Sequence, residues 1–144
     1  SCLVGSEMCI RDSSLTGLSF DPALRWLRHS RNLPATGMDK AYESVPRETF
    51  NITLAHVPQL WEQITAAGYG DLTLSGHVHA MQLKIRFSGR GWSPASWLYE
   101  HWSGRYDNDD GQTLYVNDGT GYVGYPMRLG ARPEITLLTL KRCE

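Results

Sequence analysis

Three histidines stand where metal chemistry is possible: His56, His77 and His79. His56 and His77 each follow a short stretch with strand character, and His77 and His79 form an H-x-H pair directly after Gly76. Neutral imidazole is a common ligand for zinc, iron and manganese. The sequence therefore predicts a metal site that includes these three side chains.

The H-x-H pair has a specific geometric use. In extended backbone, residues two apart point to the same side and lie about 6.5–7 Å apart along the chain. This separation is too long for one ion without bending, but it suits two neighbouring ions, which lie about 3.5–4 Å apart in two-metal sites. Gly76 permits a turn before the pair because it has no Cβ.

Each histidine also has a structural interpretation. A lone histidine is more often a hydrogen-bonded structural residue than a ligand, and an isolated H-x-H recurs by chance. Two alternatives therefore remain. One is a non-catalytic β-rich binding module that uses the aromatic region Trp92–Tyr106, with structural histidines. The other is a mononuclear zinc site of histidines alone. His29 and His101 lack a comparable setting and are expected to be surface or packing residues.

The elements around the histidines predict how they are positioned. Phe50–Ala55 alternates apolar and polar residues, which favours a strand. Pro58 suits a first helical turn, and a second short strand is predicted at Asp71–Ser75. This order predicts a βαβ unit with parallel strands. Both histidine segments would lie just past the carboxyl ends of these strands, where open α/β sheets bind ligands.

Further elements are predicted from weaker patterns. Asp21-Pro22 favours the start of one helix, and a second short helix is predicted at Met38–Ser44, before Pro46. The remaining expected elements are strands at 81–87, 113–117 and 134–141, a helix or packed turn at 94–102, and a turn at 107–111.

The bulk composition bounds the class of protein. A chain of 144 residues suits one domain, and 41% hydrophobic with 20% charged residues predicts a folded core. The net charge of −1 gives no reason to expect nucleic acid or an anionic membrane as partner. The three cysteines form no CxxC pair, so a cysteine zinc site is not indicated. The sequence contains no run of about 18 apolar residues, so it does not predict a membrane-spanning segment.

The segments ITLAHVPQLW and DLTLSGHVHAMQ resemble the last two metal-binding blocks of calcineurin-like metallophosphoesterases. These blocks are a strand ending in histidine and, later, G-H-x-H. The similarity continues through WSPASWLYEHWSGRY and LYVNDGTGYVGYPMRLGARPEITLLTLKR, so it covers positions 50–142. The tail is similar to a membrane-associated bacterial branch that is common in Bacteroidetes, which implies that the complete protein is membrane-associated.

The resemblance implies a fold and a set of roles. The fold would be α/β, namely the C-terminal half of a four-layer αββα sandwich with mixed sheets. His56 and His77 would bind the second of two divalent ions (Mn, Fe or Zn), and His79 would bind the first. The ions would activate water for in-line attack on the phosphorus of a phosphomonoester or phosphodiester.

The sequence also departs from the family pattern. The family uses D-x-H, G-D and G-N-H-[DE] motifs, and none of these occurs before His56. Asp71 imitates the G-D motif but lies about 20 Å from His77 if the strand between them is extended, so it is not expected to bridge two ions. Without carboxylate ligands, the charge of two dications stays unbalanced. We therefore expect a C-terminal fragment that alone binds metal weakly, hydrolyses poorly and carries no catalytic residue of its own.

Residues 1–13 resemble translated sequencing adapter, so they are expected to be a non-native or disordered terminus before a partial domain at 14–144. An ordinary flexible terminus is the alternative.

Asn117, Asp118 and Arg128 lie near a glycine-rich loop. For these residues, turn and ion-pair roles are expected over phosphate binding.

Overall fold

A mixed β-sheet forms the centre of the computed structural model, which describes residues 9–10, 13–18, 37–86 and 91–142. The strands are β1 (Cys9–Ile10), β2 (Ser13–Leu18), β3 (Phe50–Ala55), β4 (Leu72–Ser75), β5 (Gly104–Asp107), β6 (Thr113–Val116) and β7 (Lys141–Arg142). Five of them form a sheet in the order β2-β3-β4-β6-β5, in which only β5 runs antiparallel to its neighbour. β1 pairs with β7 separately. This arrangement confirms the predicted α/β class with a mixed sheet.

The helices are short. They are α1 (Met38–Tyr42) and α2 (Trp61–Ala66), with 3-10 turns at Pro58–Leu60, His79–Gln82 and Pro94–Trp97. Pro58 begins the helical segment between β3 and β4, and Gly68 follows it with φ of 79°. β3 and β4 pair in parallel, with Ile52 opposite Leu72. The predicted βαβ unit is therefore confirmed. Among the described residues, no helix is long and apolar enough to cross a membrane.

Two apolar clusters support the sheet edge that carries the histidines. One includes two residues of β6 and consists of Trp61, Val78, Ala80, Ala95, Tyr99, Trp102, Leu114, Val116 and Ala131. The other packs against β2 and β3 and consists of Leu18, Tyr42, Ala55, Val57, Leu60 and Ile64. Since α2 contributes Trp61 to one cluster and Ile64 to the other, it joins the two halves of the sheet.

Two predicted strands are wrong. Residues 79–82 form a turn instead of continuing into a strand, and beyond them only Leu83 and Ile85 form isolated bridges; Phe87 lies outside the described part. In the segment 134–141, only Lys141 belongs to a strand. There Ile135 and Leu137 are 83% and 71% exposed, so their alternation does not mark a buried sheet face.

The remaining predictions fall in three groups. The structure confirms the helix at 38–44, the strand at 113–117, the helix or turn at 94–102 and the turn at 107–111. Where the observed bounds differ from the predicted ones, the observed element is shorter. The helix predicted after Asp21 and the surface role of His29 lie outside the described residues. The sequence analysis missed β1, β2 and β5. Ser13 begins β2, and the origin of residues 1–13 stays a prediction.

Buried polar groups hold the opposite end of the sheet together. The side chain of Asn51 is 1% exposed. Its Nδ2 donates to Ser14 Oγ and Thr16 Oγ1, each at 3.0 Å, and its Oδ1 accepts from Thr53 Oγ1 at 2.6 Å. Asp71 Oδ2 accepts from the Asn51 backbone N at 2.7 Å. Asp71 therefore has a structural role at the far end of β4 from His77, which agrees with the expectation that it is not a metal bridge.

Candidate metal site

His56 and His77 leave adjacent parallel strands at the same edge of the sheet. His56 follows β3, and His77 follows β4 after Gly76. The His77 backbone N donates to the His56 carbonyl O at 3.2 Å, and Ser75 Oγ donates to the same oxygen at 3.0 Å. The two imidazole centroids lie 4.5 Å apart. The predicted location at the carboxyl ends of the strands is thus confirmed for both residues.

His79 begins a left-handed turn. The residues His79, Ala80, Met81 and Gln82 have φ of 51°, 47°, 45° and 61°. Left-handed backbone costs roughly 1–2 kcal/mol for each such residue, so tertiary contacts must maintain it. Ser93 Oγ donates to Ala80 O at 2.7 Å, and Tyr125 Oη donates to Met81 O at 2.9 Å. Strain of this kind clusters at functional sites.

The geometry of the H-x-H pair differs from the extended geometry predicted for it. Val78 between the two histidines is helical, with φ −75° and ψ −32°, so the backbone is not extended there. The predicted spacing of about 6.5–7 Å along a strand therefore does not apply. Val78 is 5% exposed, and its burial in the core directs the chain into the turn.

The imidazole of His79 is partly buried, and its burial affects its hydrogen bonding and its pKa. Its Nδ1 is buried and has no hydrogen-bond partner within the described part of the chain. Burial lowers the pKa of His79, and the charge of Arg128 lowers this pKa further, against the opposing effect of Asp118. A lowered pKa favours neutral imidazole, which is the form that binds metal.

The three histidines line one pocket. Its volume is about 640 Å³, within the usual range for ligand sites of roughly 300–1,000 Å³. The remaining wall is mostly apolar and includes Met81, Leu83, Pro94, Tyr99, Val123 and Tyr125. None of its lining residues among the described ones is Asp, Glu, Lys or Arg. The pocket therefore combines imidazole ligands with an apolar surface.

These side chains fit part of a divalent-metal site. The His56 and His77 rings are close enough to serve one ion, and His79, whose pKa is lowered mainly by burial, lines the same pocket. However, no group of three His, Cys, Asp or Glu side chains in the described ranges could hold a single ion.

Gln82 fixes the loop that forms one wall of the pocket. Its side chain is 2% exposed. Nε2 donates to the carbonyls of Tyr125 at 3.1 Å and Met127 at 3.2 Å, and Oε1 accepts from the Val123 backbone N. Sequence reasoning missed this residue. A glutamine just after the histidine block carries no signal of its own, because its three partners are distant in sequence.

Arg128 braces the same loop from another side. Its Nε donates to Ala131 O at 2.7 Å, its Nη2 donates to Asp118 O at 2.6 Å, and its Nη1 donates to Gly121 O. All three nitrogens therefore bind backbone carbonyls. Arg128 has a turn role, as expected, and is not among the residues that line the pocket.

A buried ion pair lies behind the loop, and sequence reasoning missed it as well. Lys84 Nζ lies 3.3 Å from Asp118 Oδ2, and the two side chains are only 9% and 6% exposed. Lys84 Nζ also donates to Ser103 Oγ at 2.6 Å. The pair connects the segment after the left-handed turn to the loop that begins after β6.

The aromatic region Trp92–Tyr106 mainly packs the core. Tyr99 and Trp102 are buried in the cluster beside β6, whereas Trp97 is 72% exposed. His101 lies between Trp61 and Tyr106, with ring centroids 5.0 Å and 4.6 Å away. His101 is therefore a packing residue, as expected, and this region offers little support for the binding-module alternative.

The chain is similar to several proteins whose names all contain the word metallophosphoesterase. The chain is 38% identical over 109 residues to a transmembrane protein with metallophosphoesterase domain from Bos taurus, which covers 73% of the chain and 23% of that protein. The Danio rerio protein of the same name is 36% identical over 85% of the chain and 26% of its own length. A metallophosphoesterase from Helicobacter pylori is 30% identical over 96% of the chain and 35% of its own length.

These matches cover only a part of each relative. The chain spans about a quarter to a third of the length of these three proteins. No family model matches the sequence, and no solved structure matches it.

Proposed function

Because the chain belongs to the calcineurin-like metallophosphoesterases, we propose that His56, His77 and His79 bind divalent metal in a phosphoesterase site. In this proposal His56 and His77 bind one ion, and His79 binds its neighbour. The main support is the approach of the His56 and His77 rings to 4.5 Å inside the pocket that His79 also lines. The substrate is a phosphomonoester or phosphodiester.

In this proposal, the described residues position the imidazole ligands and favour the protonation state in which they bind metal. When bound, two divalent ions would supply charge stabilisation to phosphoryl oxygens and a more acidic water (Mn, Fe and Zn all suit imidazole). The hydrogen bonds to the His56 carbonyl hold the two strand ends, so His56 and His77 need little rearrangement to bind metal. The lowered pKa of His79, caused mainly by its burial, favours the neutral ring that binds metal.

We also propose that the complete protein is associated with a membrane. The support is limited to two relatives, from Bos taurus and Danio rerio, that are named transmembrane proteins. A fractionation experiment on the native protein, with and without detergent, tests this point. Recovery without detergent in the supernatant of an ultracentrifugation would contradict it.

Metal binding tests the ligand assignment directly. The chain and its variants His56→Ala, His77→Ala and His79→Ala are titrated with Mn²⁺ and Zn²⁺ by calorimetry. We expect each variant to lose at least about tenfold in affinity, since each removes an imidazole ligand. His101→Ala is the matched control, because His101 lies outside the pocket. Equal affinity in all variants would contradict the assignment, and tight binding of one zinc ion per chain would favour the mononuclear alternative.

Activity of the complete protein provides the second test. The substrate is bis(p-nitrophenyl) phosphate, and the variants are His77→Ala and His79→Ala. We expect hydrolysis to fall by orders of magnitude in both variants, because each would disturb a different ion. Phosphoesterase activity that survives both substitutions would favour the binding-module alternative with structural histidines.

A further inference from the structure

The pocket beside the histidines is lined by two chemically different kinds of side chain. The imidazoles of His56, His77 and His79 share it with apolar side chains such as Met81, Leu83 and Val123. The volume of about 640 Å³ is much larger than a phosphoryl group occupies. The pocket therefore has room for a substantial part of a ligand beyond its phosphorus.

Two polar side chains of the pocket lining besides the histidines, Gln82 and Tyr125, are already hydrogen-bonded within the chain. The Gln82 carboxamide is bonded to the backbone of Val123, Tyr125 and Met127, and the Tyr125 hydroxyl donates to Met81 O. A sugar would need hydrogen-bond partners for its hydroxyls once they leave water, since an unpaired polar group is costly to bury. An apolar group has no such requirement.

The loop that carries Val123 and Tyr125 presents apolar surface to solvent. Val123 is 67% exposed and Tyr125 is 44% exposed, although both line the pocket. Gln82 and Arg128 hold this loop through bonds to its backbone, so its conformation is set before a ligand arrives. A preorganised wall binds an apolar group without a large ordering cost.

We propose that this pocket binds an apolar organic group attached directly to the phosphate ester, so that the substrate class is apolar phosphate esters rather than sugar phosphates. This inference rests on the proposed function, because the histidines must receive the phosphoryl end. Val123 and Met81 are specificity-determining residues in this proposal, since their side chains contact the apolar group. They do not bind metal.

Two phosphonates that differ only in their apolar part test the inference. Methylphosphonate and hexylphosphonate are titrated into the chain in the presence of Zn²⁺, and binding is followed by the NMR shifts of the Val123, Leu83 and Met81 methyl groups. We expect hexylphosphonate to shift these signals and to bind at least about tenfold more tightly, because each buried methylene adds to affinity. Val123→Ser should reduce this ratio.

A matched control variant makes the result specific. Leu137→Ser replaces a leucine that is 71% exposed and lies outside the pocket, so it should leave the ratio unchanged. Equal affinity for both phosphonates would overturn the inference while leaving the metal assignment intact. If instead the histidine variants bind metal as well as the wild type does, the proposed function fails on its own measurement.

Discussion

The backbone of Gly119 lies directly against the imidazole of His79. A Cβ at position 119 would stand 2.6 Å from Nδ1 and 2.7 Å from Cε1 of that ring. Gly119 also has φ of 70°, and its N donates to Asn117 Oδ1 at 2.6 Å. The loop after β6 therefore sets the position of a histidine that belongs to a distant part of the chain.

Adding a methyl group at this contact should disturb the site. In Gly119→Ala, the new Cβ would collide with the His79 ring, and the positive φ would add backbone strain. We expect roughly a 10- to 100-fold loss of Mn²⁺ affinity, as is typical when a residue that orients a ligand is changed. Calorimetric titration measures it. Gly121→Ala is the control because nothing lies within 4 Å of its Cβ, and an equal loss there would contradict the contact argument.

The hydrogen bonds of the Gln82 side chain should keep the loop that forms the pocket wall in a fixed conformation. Gln82→Ala leaves the Val123 N–H without its acceptor, while the Leu129 N–H keeps its bond to the main-chain carbonyl of residue 82. We expect amide hydrogen exchange to accelerate strongly at Val123 and much less at Leu129. Gln112→Ala, which removes bonds at the other end of the sheet, serves as control. Unchanged exchange at Val123 would contradict the role of Gln82.

The parallel strands around the histidines could be predicted because their signal is local. Phe50–Ala55 alternates by polarity, a proline and a helical period follow, and the second strand stops at Gly76. Parallel strands joined by a helix place their carboxyl ends at one edge, so the nearness of His56 and His77 followed from topology. No tertiary contact had to be known.

The shape of the site beyond that edge depends on contacts that are distant in sequence. Four successive left-handed residues contradict the backbone preference of every residue involved, and the turn needs Ser93 and Tyr125 as hydrogen-bond donors. The Gly119 contact is similar: the glycine is visible in the sequence, but the ring against it is not. The apolar alternation after Glu134 misled the strand prediction because Ile135 and Leu137 are exposed and do not face a buried layer.

The buried pair Lys84–Asp118 should be costly to break. Lys84→Met leaves the Asp118 carboxylate buried without its cation and removes the bond to Ser103. We expect the free energy of unfolding to fall by about 3–5 kcal/mol, measured by urea denaturation. Adding Asp118→Leu should recover part of this loss, because no unpaired charge then remains.

An exposed ion pair provides the comparison. Arg105 and Asp107 approach to 2.8 Å, but their side chains are 32% and 48% exposed. Arg105→Met should therefore lower the free energy of unfolding by about 1 kcal/mol or less. If Lys84→Met and Arg105→Met were equally mild, burial would not be what makes the Lys84–Asp118 pair important.

The Glu134 carboxylate should make stability depend on pH in the acid range. Burial alone would raise its pKa, but hydrogen bonds from the Tyr115 hydroxyl, the Asp118 N–H and the Thr136 hydroxyl outweigh it and lower the pKa below 4.5. The unfolded chain therefore binds a proton at Glu134 more readily than the folded chain. This contribution to stability is fully present above about pH 4.5 and is lost as the pH falls through the lowered pKa.

Thermal melts of the wild type and of Glu134→Gln between pH 7 and pH 3 test this expectation. The wild type should have the higher Tm at pH 7, and the difference should shrink as the carboxylate becomes protonated below its ordinary pKa of 4.5. Glu62→Gln on the exposed face of α2 controls for the general effect of acid, since it removes a carboxylate that no buried donor contacts. A Tm difference for Glu134→Gln that stays constant across this range would mean that the loop after β6 does not depend on an ionised Glu134.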